Sequence, residues 1–321
     1  YIVNLDTVNR ANPIDGKIVM SNLCSEIAQV QRPSIVNDDQ TFAKLGTDVS
    51  CNLGSTNIAN MMETPDFGRS VSAMVRGLTH ISDIEHLDVV PSIEHGNDMA
   101  HAIGLGAMGL HGYLAKHHIQ YGSPVALEFT SVYFMLLNYW TIKASNDIAR
   151  ERHETFAEFE KSTYADDSYF DKYVSQDWRP KSATVKQLFE GIFIPGIKDW
   201  QELKAAVQKD GLYNAYRLAV APNGSTSYIG DSTSSLHPII NRIEERQEKM
   251  IGKIYYPAPY LSNDTMPYYK SAYDTDMRSV IDTYAAAQEH IDQSLAMTLF
   301  MRSTIPAGMY EWKNNRTDKM T

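Results

Sequence analysis

Cysteine is scarce: Cys24 and Cys51 are the only two in 321 residues. That excludes a scaffold built on disulfides and suits a reducing compartment, so a cytoplasmic location is expected. Recognisable metal spacing is missing too. The ten histidines include the adjacent pair His117 and His118, but no H-E-x-x-H or C-x-x-C occurs, and no metal site is expected. Positive charge is in deficit, with 29 Lys and Arg against 39 Asp and Glu, a net charge of −10. A nucleic-acid backbone is therefore not expected as a partner, since such binding draws on clustered cations. A small anion held by backbone N–H groups stays compatible with an acidic chain. No apolar run approaches the ~20 residues of a membrane span, and the opening residues do not read as a signal peptide, so no membrane contact is expected.

What is present reads as an α/β chain. The length suits two domains or one large α/β domain. Residues 1–60 read as extended segments and loops, with Pro13, Asp15 and Gly16 marking a turn. Apolar residues recur at helical spacing over 64–80, with Thr64 as N-cap and Pro65 in the first helical position, and again over 97–118. The strongest helix is expected over 124–150, where Leu127, Val132, Leu136, Leu137, Trp140 and Ala144 share one broad face. Residues 151–173 are polar and predict a short helix and a surface loop. A capped amphipathic helix over 199–210 ends at Gly211, then a strand candidate spans 213–222 and a loop 223–235. A last helix is predicted over 274–295, followed by a strand-like run at 296–303. Helices alternating with strands favour a buried sheet.

Three stretches carry candidate chemistry. In "GKIVMSNLCSEI" the residues Asn22, Cys24 and Glu26 occupy alternate positions. An extended backbone turns all three to one side, whereas a helix leaves Cys24 about 200° from the other two. The flanking Gly16, Ile18 and Val19 favour the extended form. A buried inert thiol and a Cys–His hydrolase nucleophile both stay open here, yet neither accounts for the spacing. In "GLGAMG", Gly104, Gly106 and Gly109 satisfy G-x-G-x-x-G, a fingerprint that needs a strand before it. The preceding "HGNDMAHAI" does not read as one, so the glycines are taken as small residues packing helices, not as a dinucleotide site. In "APNGSTSYI", Gly224 and the hydroxyls of Ser225, Thr226 and Ser227 suit either a phosphate nest or a polar turn. The lysine of a nucleotide-hydrolysing phosphate loop is absent. The pairs Tyr255–Tyr256 and Tyr268–Tyr269 stand beside prolines and read as packing or loop anchors.

Taken together, "MSNLCSEI", "DVSCNLGSTNIAN", "AIGLGAMGLHGYL" and "APNGSTSYI" resemble, in this order, the catalytic subunit of class I ribonucleotide reductases. The likeness is closest to the class Ib branch, where "LFEG", "DWQELKA" and "RIEER" also have counterparts, and it covers nearly the whole chain. It implies the second half of a ten-stranded α/β barrel with the radical cysteine on an interior loop. Residues 1–321 would then be one partial catalytic barrel domain, cut at both ends.

The resemblance also implies roles. Cys24 would be the thiyl residue that takes hydrogen from the ribose 3′ carbon. Glu26 would take the 3′-hydroxyl proton, and Asn22 would hold that hydroxyl through its amide. Cys51 matches one member of a redox-active pair, its partner lying outside this chain. Substrate contacts fall to Asn22, Leu23 and Cys24, with Pro222, Asn223, Gly224, Ser225 and Thr226 as the diphosphate loop. No cofactor is expected on this chain itself. A metal-containing small subunit would supply the radical, and a thioredoxin- or glutaredoxin-like dithiol protein the electrons. The other implied partners are a ribonucleoside diphosphate, the missing segments of the catalytic subunit, and a second copy of that subunit in a homodimer. The family's paired relay tyrosines have no counterpart before residue 321. The alternatives are a non-catalytic scaffold and substrate-loop module of a split reductase, and a cysteine hydrolase.

Overall fold

The computed structural model describes residues 4–248 and 252–301. The chain opens with a helix, α1 (Leu5–Ala11), where extended structure is expected; the Asn4 side chain caps it by accepting from Thr7 N–H at 3.2 Å. Asn9 on this helix bonds both backbone groups of Ile18, at 2.8 and 2.9 Å, so an amide side chain stands in for a neighbouring strand. Two short strands follow, β1 (Ile35–Val36) and β2 (Phe42–Lys44), then β3 (Leu53–Asn57). Asn57 ends β3 and caps α2 (Ile58–Glu63). The next helix, α3 (Phe67–Ile84), starts later than the sequence suggests. Thr64 closes α2, and the N-cap is Asp66, which accepts from Arg69 N–H at 2.9 Å.

The region 97–118 departs furthest from its expected form. It divides among α4 (Pro91–Ala100), a strand β4 (Gly104–Met108) and α5 (Leu110–Lys116). All five residues of β4 are buried, and the strand runs parallel to β3, Leu53 facing Gly104 and Asn57 facing Met108. Gly104 and Gly106 lie inside the strand because its neighbour is very close, while Gly109 follows it as the N-cap of α5 at φ +93°. A Cβ on Gly106 would sit 2.4 Å from the Ala219 carbonyl oxygen, and one on Gly104 would sit 2.6 Å from Leu53 Cδ2. They serve strand packing, neither joining helices nor forming a dinucleotide loop.

Residues 215–220 form the next rung. Leu105 N–H donates to the Arg217 carbonyl at 2.8 Å, and Ala219 N–H to the Leu105 carbonyl at 3.2 Å. Val220 in turn exchanges bonds with Ser294 and Ala296, and Ser294 N–H reaches the Glu26 carbonyl at 3.1 Å. The bridges Leu105–Leu218 and Val220–Leu295 are parallel. The order is thus β3, β4, 215–220, 294–296, with Glu26 alongside the last. Among the described residues this is an open α/β arrangement, with no closed barrel. Arg217 and Asp292, both fully buried, pair at 2.9 Å, and the carboxylate also accepts the N–H groups of Arg217 and Leu218. The carboxylate oxygens are met by hydrogen bonds, and Arg217 Nη2 also donates to the Tyr164 hydroxyl at 2.9 Å. Arg217 Nε and Nη1 have no partner among the described residues, so the deep ion pair is only partly compensated.

Helices cover this sheet. The long α6 (Pro124–Arg152) begins on Ser123, whose side chain accepts from Ala126 N–H at 3.2 Å. Residues 132–139 are all buried, so this helix is enclosed on several sides and not only along the expected face. It packs against α3, α8 (Ala183–Leu188), α9 (Ile197–Asp210) and α11 (Met277–Gln288). Residues 151–173 give short 3-10 turns that lead into α7 (Asp171–Ser175). The predicted C-cap Gly211 ends α9, with φ +73°. After 215–220 the expected loop contains a short helix, α10 (Gly224–Ile229). A hairpin then pairs β5 (Ile243–Glu248) with β6 (Gly252–Pro257). The strand-like run 296–303 is described only to residue 301; Ala296 joins the sheet, and residues 302–303 lie outside the described residues.

Candidate active site

The stretch around Cys24 is a turn, not an extended strand. Ser25 N–H donates to the Asn22 carbonyl at 3.1 Å, and Ser25 takes φ +68°, a left-handed conformation uncommon for serine. Asn22 braces the turn: its Oδ1 accepts from Ile27 N–H at 3.0 Å. Alternation along a strand is therefore not what relates Asn22, Cys24 and Glu26; the turn is. Leu23 stands outward, 74% exposed, and Cys24 is half-buried. Glu26 is only 2% exposed, and its Oε2 has no hydrogen-bond partner among the described residues. Burying an acceptor without a donor is costly, so this oxygen calls for one.

Cys51, remote in sequence, joins the same neighbourhood. It lies just ahead of β3 with an exposed side chain, and both thiols are free. Burial pushes the Cys24 thiol up, and the Glu26 carboxylate adds to the effect. Although the residue is exposed overall, partial burial raises the Cys51 thiol, then Glu26 and Cys24 add to the effect, while a hydrogen bond with Asn22 opposes the rise. One carboxylate thus acts on two thiols that are 27 positions apart. A raised thiol stays protonated near neutral pH, so it can give or return a hydrogen atom and is a poor nucleophile. That is the reverse of what a Cys–His hydrolase requires.

The second stretch sits at the far end of β3. Asn223, in the left-handed conformation at φ +56°, precedes α10. Its Nδ2 donates to Ser55 Oγ at 2.7 Å, and Asn57 Nδ2 donates to the Gly230 carbonyl at 2.8 Å. Two side chains of β3 thereby hold α10 at both ends. Pro222, Gly224, Ser225 and Thr226 are exposed. The first intrahelical bond of α10 is from Ser227 N–H to the Asn223 carbonyl at 3.2 Å, which leaves the N–H groups of Gly224, Ser225 and Thr226 free to meet an anion. Ser55 and Asn57 are supports of α10 that the sequence does not signal, because each acts through a contact with a residue more than 160 positions away.

Other candidates take structural roles. Tyr269 is buried, and its hydroxyl donates to the Pro259 carbonyl, anchoring that loop. Among the described residues no group of three His, Cys, Asp or Glu could hold a metal, and no helix is long and apolar enough to cross a membrane.

The chain matches the family described as ribonucleotide reductase, barrel domain, over residues 1–312. It is 45% identical over 307 residues to the ribonucleoside-diphosphate reductase subunit alpha of Bacillus subtilis, covering 95% of this chain and 44% of that protein. The protein of the same name from Mycoplasma pneumoniae is 46% identical over 308 residues, 94% of this chain and 43% of the relative. A ribonucleoside-diphosphate reductase NrdEB subunit alpha of Bacillus subtilis is 42% identical over 287 residues, 89% of this chain and 26% of the relative. The chain therefore spans less than half the length of these relatives.

Proposed function

This chain belongs to the ribonucleotide reductase barrel-domain family, and on that premise we propose that it carries the hydrogen-abstracting part of a class Ib-like ribonucleoside-diphosphate reductase active site. The observation that carries the reading is the turn braced by Asn22, which sets half-buried Cys24 beside Glu26, a buried carboxylate whose Oε2 has no hydrogen-bond partner among the described residues. Cys51 is close enough for the same carboxylate to raise its thiol.

Each group has a task suited to its chemistry. Cys24, oxidised to a thiyl radical, takes the hydrogen atom from C3′ and becomes a thiol. Glu26 accepts the 3′-hydroxyl proton, which supplies the donor its buried Oε2 lacks. The Asn22 amide steadies the same hydroxyl. The C2′–O bond then breaks, and the hydroxyl leaves as water with a proton from the dithiol. The other dithiol hydrogen goes to C2′ and the second electron to the 3′ carbonyl, so that Cys51 and a second cysteine outside this chain become a disulfide. Glu26 returns its proton to the 3′ oxygen, and Cys24 returns its hydrogen to C3′. The loop from Pro222 to Thr226 receives the substrate diphosphate on its free N–H groups, and Leu23 borders the ribose.

A metal-containing small subunit would deliver the oxidising equivalent to Cys24. A thioredoxin- or glutaredoxin-like protein would reset the dithiol, which suits a cytoplasmic setting. The sheet order described above suits the second half of a ten-stranded barrel, with the turn at Cys24 on its interior loop. Residues 1–321 would form one part of that barrel domain, completed by further segments of the subunit and working as a homodimer. The scaffold and hydrolase readings are not favoured, the latter because burial raises the Cys24 thiol.

Cys51→Ser tests the division of labour. In the assembled reductase this variant should activate the substrate and then release free base, without deoxynucleotide. Normal multiple turnovers with a dithiol reductant would make Cys51 merely structural.

A further inference from the structure

Tyr228 is the aromatic residue of α10, the helix whose first turn faces the proposed diphosphate position. Its ring lies 4.8 Å from that of Tyr256, and the guanidinium carbon of Arg246 lies 4.1 Å from its centre. Its hydroxyl donates to Glu244 and accepts from Arg246 Nη2 at 2.5 Å. Glu244 and Arg246 stand two apart on β5, and Tyr256 on β6 is the cross-strand partner of Glu244. The two-residue period of a strand turns all three to one side. Along β6 that side is half-buried at 252, 254 and 256, while 253, 255 and 257 are exposed. A cavity of about 240 Å³ separates hairpin and helix, lined by Gly224, Tyr228, His237, Glu244, Arg246 and Tyr256.

A two-stranded hairpin needs a surface to pack on. That need does not explain why an ion pair and an aromatic ring both close on one tyrosine of this helix. Both ends of α10 are already tied to β3, and the hairpin adds a third set of contacts on its Tyr228 side.

We infer that Glu244, Arg246 and Tyr256 clamp Tyr228, so that the β5–β6 hairpin fixes the orientation in which Gly224, Ser225 and Thr226 present their N–H groups to a diphosphate. All four are positioning residues. Glu244 lies 3.9 Å from Arg246, so the charges offset each other and the clamp acts through geometry more than through attraction. The inference rests on the reading of 222–226 as the diphosphate loop.

The test uses the reductase assembled from the full subunit that carries this chain. Steady-state kinetics, and calorimetry with a ribonucleoside diphosphate and with the corresponding nucleoside, are compared for Arg246→Ala, Arg246→Lys, Tyr228→Leu, Tyr228→Phe and the loop variant Gly224→Val. Loss of an exposed cation–π contact and its hydrogen bond should raise KM for the diphosphate about three- to tenfold in Arg246→Ala and Tyr228→Leu. Their kcat should stay within about twofold, the pattern of lost binding as opposed to lost chemistry. Nucleoside binding should not change. Tyr228→Phe keeps the ring and should recover part of the loss, and Arg246→Lys keeps the charge without the planar stack and should recover less. If Gly224→Val weakens diphosphate binding while the clamp variants leave KM unchanged, or weaken diphosphate and nucleoside equally in step with lost stability, the clamp is overturned and the loop reading stands. If Gly224→Val also leaves diphosphate binding unchanged, the loop reading falls and the clamp falls with it.

Discussion

Replacing Gly106 by alanine tests the close approach on which the sheet depends. The added Cβ would fall 2.4 Å from the Ala219 carbonyl oxygen and 3.0 Å from Val220 Cα. Both are backbone atoms, so no change of rotamer relieves the overlap and the two strands must separate. Overpacking of this kind costs about 1–3 kcal/mol, and a backbone clash belongs at the upper end. At roughly 1 °C per kcal/mol for a subunit as long as the relatives, Tm should fall by about 2 °C. Residues 215–220 run straight into the loop at 222–226, so diphosphate affinity should fall as well. Gly77 in α3 is the control, since a Cβ there meets nothing within 4 Å. Gly77→Ala should stabilise by roughly 0.5–1 kcal/mol, because alanine loses less entropy in a helix. Thermal unfolding and calorimetry on both variants in the full subunit measure these effects. A Gly106→Ala protein as stable as wild type, with unchanged affinity, would refute the close-packed sheet.

Two further outcomes are expected. His111 is buried and neutral, its Nδ1 accepting from Ile239 N–H at 3.0 Å and its Nε2 donating to the Tyr268 carbonyl at 3.1 Å. Burial pushes its pKa down from 6.5 to about 4, so the unfolded chain takes up the proton first as pH falls. Its contribution is complete above pH 6.5 and is lost progressively down to about 4. That amounts to roughly 3 kcal/mol. Urea unfolding across this range should show a flatter slope for His111→Gln, and an unchanged slope would contradict the assignment. Glu26→Gln removes the proposed base and should lower turnover by about 10²–10⁴ while diphosphate binding holds. Normal turnover would take the carboxylate out of the mechanism.

The elements legible in the sequence were those with local causes. The long helix α6 and the helix α9 carry their own periodicity and caps, and Gly211 ends α9 where its left-handed φ requires. β4 was hidden because "GLGAM" is buried on both sides and shows no alternation, while apolar residues of α4 and α5 around it imitate one helical pattern. The sequence of α10 reads as a loop because its residues are small and polar, and Asn223 in the left-handed conformation starts it without a side-chain cap. In the site, the residue types at 22, 24 and 26 were legible, but their geometry was not. A left-handed Ser25 turns the chain where alternation implied a strand. The approach of Cys51 to Glu26, and the hold of Ser55 and Asn57 on α10, depend on the parallel sheet and leave no local trace.

On the reading proposed above, Cys24 takes hydrogen from the ribose 3′ carbon. The direct measurement is turnover of a 3′-deuterated ribonucleoside diphosphate by the reconstituted reductase, wild type against Cys24→Ser. Wild type should make deoxynucleotide with a kinetic isotope effect at C3′, while Cys24→Ser should bind the substrate and form no product. Deoxynucleotide made at a normal rate by Cys24→Ser would show that another residue abstracts the hydrogen.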